Sequence, residues 1–142
     1  MVTTERDRGI GLETESLTAV HWAAVGLAVL TGVIHLYLYA VEGFLPFLLG
    51  GLGYLGAVVL LLLNVRRLIL YAVGIPFVLV HIAGWVAAGM PDGGWALAAA
   101  PALVNLGTVD KFVEVLLLVA LAYLVWASVR TPVPSGQREQ TS

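Results

Sequence analysis

Three ionisable residues, His35, His81 and Glu114, stand inside long apolar runs of this 142-residue chain. A titratable group at membrane depth is costly and is by default a candidate for function. Taking the midpoints of their apolar runs as Thr31, Leu79 and Val119, the helical rise gives a rough depth for each. His35 lies roughly 6 Å, His81 roughly 3 Å and Glu114 roughly 7 Å to one side of the midplane. Three different segments therefore bring titratable groups to one layer. Glu42, Asp110 and Lys111 are expected further out, near the interface.

Four kinds of chemistry suit that layer. The histidines and Glu114 can bond to neighbouring carbonyls and hydroxyls and so stitch the segments together. Neutral imidazoles at His35 and His81 can hold a b-type haem from its two faces. Two histidines and a carboxylate can ligate zinc, iron or copper. No His-x-x-x-His or Glu-x-x-His spacing accompanies them, however, and no metal is assigned. Finally, the layer can relay protons or gate a small solute. Asp110, Lys111 and Glu114 also have an explanation without any ligand. Thr108 would cap a helix start, Asp110 would sit by its positive end, and Lys111 would pair with Glu114 at i,i+3. His21, at the inner interface beside Trp22, receives no role.

The elements that carry these residues are apolar stretches, each close to the ~20 residues that cross ~30 Å of hydrocarbon. They predict an all-α, up-down bundle of four transmembrane helices over about 18–41, 44–63, 68–90 and 108–130, within a single domain over 16–130. Hydrophobic residues make up 60% of the chain and charged ones only 11%, against about 25% charged in soluble domains. Six of the seven basic residues (Arg6, Arg8, Arg66, Arg67, Arg130 and Arg138) fall on one side of the pattern, and only Lys111 on the other. Positive residues in short loops mark the cytoplasm, which predicts a multi-pass plasma-membrane protein with N-in/C-in topology. The net charge of -2 and the lack of a basic tract exclude nucleic acid as a partner. The absence of cysteine excludes disulfides, thiolate metal sites and c-type haem attachment.

Local signals refine the picture. Residues 1–15 are polar and charged, which argues against a cleaved leader. Ser16 or Thr18 is a capping residue for the first helix. Glu42-Gly43 forces a tight hairpin, and Pro46 fits the first turn of the second helix. Gly50, Gly53 and Gly56 recur every three residues and predict a groove for a neighbouring helix. Pro76 predicts a kink one turn before His81. Residues 91–107, with Trp95 and Pro101, are expected as an interfacial outer loop, and 131–142 as a disordered cytoplasmic tail. Trp22, Tyr71, Tyr123 and Trp126 suit an inner aromatic belt, with Tyr37, Tyr39, Trp85 and Trp95 forming the outer one.

The run His35-Leu36-Tyr37-Leu38, the segment Phe47-Leu48-Leu49-Gly50-Gly51-Leu52-Gly53-Tyr54-Leu55-Gly56, the pair Arg66-Arg67 and the segment Tyr71-Ala72-Val73-Gly74-Ile75-Pro76-Phe77 resemble small four-span integral membrane proteins of halophilic archaea. The resemblance implies the four-span architecture and carries no catalytic residue. No nucleophile–base pair and no nucleotide loop is readable. The expected function is therefore that of a non-enzymatic structural or accessory subunit in the lipid bilayer, alone, as a homo-oligomer or within a larger membrane complex. The alternatives are an electron carrier binding haem through His35 and His81, and a small transporter or channel using the His/Glu layer.

Overall fold

The computed structural model describes residues 14–89 and 101–130, with side chains described from 106 in the last helix. The described residues form four α-helices and no strand: α1 (Ala19–Glu42), α2 (Leu45–Leu62), α3 (Arg67–Ala87) and α4 (Pro101–Arg130). All four are long and apolar enough to cross a membrane. α1 packs on α2 and α4, and α3 packs on α4 and α2.

The helix ends follow the chemistry of their sequences. Thr18 is the residue capping α1, and its amide donates to His21 Nδ1 at 3.1 Å. The Thr18 hydroxyl lies 2.8 Å from the same nitrogen. His21 thus has a local structural role that the sequence did not suggest. α1 stops at Gly43, whose φ of +66° is open to glycine and whose amide donates to the Tyr39 carbonyl at 2.8 Å. Pro46 stands in the first turn of α2, as expected. α3 runs unbroken through Pro76.

The last helix departs from expectation. α4 begins at Pro101, not near 108, so seven residues assigned to the outer loop are helical. A proline in the first turn of a helix has no amide bond to lose and its φ is already set, so Pro101 is compatible with the helix described from it onward. Thr108 is then interior to α4 and not its cap, and Asp110 lies well past the positive helix end. Trp95 and the rest of the outer loop to residue 100 lie outside the described residues, as do most of the polar N-terminal segment and the C-terminal tail.

One end of the bundle gathers the start of α1, the α2–α3 turn and the end of α4. Arg67 of that turn donates to Ser16 Oγ at 2.6 Å, and Thr18 and His21 share a surface hollow with Tyr123 and Ser128. Arg130 lies over the Trp126 ring at 4.5 Å. Trp22, Tyr123 and Trp126 are about half exposed, as a belt requires, whereas Tyr71 is 3% exposed and belongs to the core. That core joins Ala24 and Ala28 of α1 to Tyr54 and Val58 of α2, Tyr71 and Val78 of α3, and Leu117 and Leu124 of α4.

The α2 glycines set the helix spacing, in a pattern shifted from the expected one. A Cβ on Gly50 would lie 2.6 Å from His81 Nε2, and one on Gly51 would lie 2.7 Å from the Leu36 side chain. A Cβ on Gly53 would strike the Phe77 ring, while Gly56 faces open space. The close face is therefore Gly50, Gly51 and Gly53. Gly53→Leu is expected to lower the thermal stability of the detergent-purified protein more than Leu61→Ala does, because a bulky group pushes α3 away. Equal stability of Gly53→Leu and wild type would refute the close α2–α3 approach.

Candidate functional site

Three helices carry a buried ionic cluster. α1 supplies Thr31 and His35, one turn apart on its buried face. α4 supplies Asp110 and Glu114 at i,i+4 on its buried face, with Lys111 between them in sequence. α2, which has no charged residue, contributes Tyr54. Thr31, Asp110 and Glu114 are 0% exposed, and His35 is 2% exposed. Burial of this kind requires partners.

The partners are specific. The Thr31 hydroxyl donates to Asp110 Oδ1 at 2.5 Å. Tyr54 donates from its hydroxyl to Glu114 Oε1 at 2.7 Å. Lys111 Nζ donates to Glu114 Oε2 at 2.5 Å and lies 3.2 Å from Asp110 Oδ2. His35 Nδ1 is 3.0 Å from the Thr31 carbonyl and 3.4 Å from Asp110 Oδ2. Its Nε2 is 3.7 Å from Glu114 Oε1. Asp110 Oδ2 is buried and accepts no hydrogen bond. By formal charge, the cluster sets two carboxyl groups against one ammonium.

The contact with a carbonyl also fixes the histidine tautomer. A carbonyl oxygen only accepts, so Nδ1 of His35 carries a proton, and in the neutral ring Nε2 then presents its lone pair. His81 repeats the arrangement, with Nδ1 2.8 Å from the Phe77 carbonyl. The two imidazoles meet edge to face at 5.2 Å, over a backbone that only glycine at position 50 permits. Tyr54 flanks both rings, at 5.4 Å and 5.5 Å. A cavity of about 230 Å³ adjoins the cluster, lined by His35, Phe47, His81, Trp85 and Lys111 among others.

The structure thus brings together four of the residues expected from sequence, His35, His81, Glu114 and Lys111, in one layer. Asp110, expected further out together with Lys111, belongs to the same cluster and is completely buried. Glu42, the last residue of α1, is not part of it. Thr31 and Tyr54 were missed, although Tyr54 follows Gly50 by one turn and is the sole hydroxyl of an otherwise apolar helix.

The rings of His35 and His81 are in edge contact at 5.2 Å, with Tyr54 beside both, so a haem ligated by both would require the two rings to move apart. The donor set instead suits a smaller charged guest. One ligand atom each from His35, Asp110 and Glu114 falls within 4.8 Å of the others. The described residues thus define a protein with four helices of membrane-spanning dimensions and a buried His/carboxylate/ammonium cluster. Comparison with protein-family models, curated proteins and solved structures finds no match to this chain.

Proposed function

We propose that this chain is a small multi-pass protein of the cell membrane, built as an up-down bundle with both termini cytoplasmic, that binds a small cation from the outer side. It acts without catalysis, in the manner of a small transporter, channel or accessory subunit. The observation that carries the reading is the Lys111 ammonium, shared by two completely buried carboxylates and bordering a cavity. A tethered cation in an acidic, desolvated cage marks a place where positive charge is stabilised. A purely structural staple would not need the second carboxylate or the adjoining cavity.

The orientation rests on the six-to-one basic bias. Up-down order is supported by the pairings Gly32 with Gly51, Gly53 with Phe77 and Gly74 with Leu121, and by the gathering of helix ends described above. Lys111, His35 and His81 then lie in the outer half, and the bilayer covers exposed apolar residues such as Val80 and Phe112.

Two measurements test the reading. A reporter active only in the cytoplasm should give signal at either terminus and none after Gly43 or Gly94; the reverse pattern would overturn the orientation. Thermal unfolding of the purified protein across a panel of Na⁺, K⁺, Mg²⁺, Ca²⁺, Mn²⁺ and Zn²⁺ should reveal at least one stabilising cation, since a ligand that binds only the folded state raises its stability. That stabilisation should vanish in Glu114→Gln. Indifference of the wild type and of Lys111→Met to every cation would reject the cation site.

A further inference from the structure

We propose that the buried site binds a divalent transition-metal ion of the zinc class through His35, Asp110 and Glu114, and that Lys111 is the tethered ammonium which the ion displaces. The proposal rests on the cation-site reading above and names its guest.

The donor set selects the metal. One imidazole nitrogen with two carboxylates suits borderline ions such as Zn²⁺, Mn²⁺, Fe²⁺ or Co²⁺, whereas Ca²⁺ and Mg²⁺ favour an all-oxygen shell with more ligands. The three ligand atoms already lie within 4.8 Å of one another, all in buried residues. His35 is prepared for the role, because its Nδ1 proton is committed to the Thr31 carbonyl at 3.0 Å. That leaves Nε2 free, which is the outer-shell arrangement typical of metal-ligating histidines. The carboxylates are oriented in the same way, Asp110 by the Thr31 hydroxyl and Glu114 by the Tyr54 hydroxyl.

Two further observations point to a missing guest. Asp110 Oδ2 is completely buried and faces the cluster without an aligned hydrogen bond, its neighbours being Lys111 Nζ at 3.2 Å and His35 Nδ1 at 3.4 Å. The charge is also incomplete, since one ammonium serves two carboxylates and a divalent ion would balance both. Lys111 holds the position between Asp110 Oδ2 and Glu114 Oε2 that a metal would take. Its side chain is 12% exposed and lines the cavity beside His81. A long flexible stem lets the ammonium swing into that cavity and toward the outer surface when an ion arrives. His81, with Nδ1 tied to Phe77 and Nε2 uncommitted to a protein partner among the described contacts, borders the space that Lys111 vacates.

The test uses the full chain in detergent, stripped of metal and titrated with Co²⁺ alone. Wild type should develop visible d–d absorption that Zn²⁺ bleaches at equal stoichiometry. His35→Ala should abolish the band. Lys111→Met should bind Co²⁺ about tenfold tighter or more, because the free energy spent on displacing the ammonium is no longer taken from the apparent affinity. Absence of the band in both wild type and Lys111→Met would overturn the metal assignment, as would its persistence in His35→Ala. Equal affinity of wild type and Lys111→Met would overturn the displacement. Should Lys111→Met fail to fold, the wild-type titration and its loss in His35→Ala decide the metal assignment, and Lys111→Gln decides the displacement. If Na⁺ or Ca²⁺ stabilises the protein while Co²⁺ and Zn²⁺ do not, the metal class is wrong and the cation site survives. If no cation acts on either protein, both readings fall.

Discussion

Without added metal, Lys111→Met is expected to cost about 3–5 kcal/mol of stability, the usual penalty for removing one partner of a buried ion pair. The lysine is the only Lys or Arg side chain paired with Asp110 and Glu114 among the described residues, and His35 directs its Nδ1 proton toward a carbonyl. Its removal leaves two carboxylates facing one another across a dry interior. Most of that penalty should be recovered in the double variant Lys111→Met/Glu114→Gln. The glutamine keeps an oxygen for the Tyr54 hydroxyl and removes one of the two charges. The quantity to measure is the coupling energy from a double-mutant cycle of denaturation in detergent. Additive losses would show that Lys111 and Glu114 do not share a buried environment.

Gly50→Ala, a change of one methyl group, should destabilise by about 1–3 kcal/mol, as overpacking of a filled interior does. Its Cβ would come within 2.6 Å of His81 Nε2 and 2.7 Å of His35 Cδ2. Both rings are held by their Nδ1 bonds, so neither can yield without breaking one. The matched control lies on the same helix. Gly56 has nothing within 4 Å of its Cβ position, and Gly56→Ala should be neutral or gain up to about 1 kcal/mol from helix propensity. Paired thermal scans decide the point. Equal behaviour of the two alanine variants would show that the histidine pair is loosely held. If Gly50→Ala is unstable as expected, its cation response should weaken as well, since the same methyl group misplaces His35.

The two predictions separate the electrostatic content of the site from its shape. Lys111 governs how much negative charge the interior must carry. Gly50 governs whether two imidazoles can lie against one backbone. Each is placed where the described cluster has no second ammonium or spare space.

Hydropathy and turn chemistry along the chain were enough to reveal four apolar helices, three of them to within a few residues of their observed ends. Those signals are local sums over neighbouring residues, and a bilayer-length apolar run has few other solutions. The same reasoning found His35, His81 and Glu114, because a charge in an apolar run stands out without knowledge of its neighbours. It placed the start of α4 near 108 where the helix runs from Pro101, because a proline has two local readings, a loop breaker and a first-turn residue, and the sequence alone does not choose between them. The contacts of the site belong to the tertiary structure alone. Thr31 meets Asp110 across 79 residues of sequence, and Tyr54 meets Glu114 across 60. Such separations follow no period that a sequence displays. They follow from the packing of α1 against both α2 and α4, with α1 and α2 approaching backbone to backbone at Gly32 and Gly51.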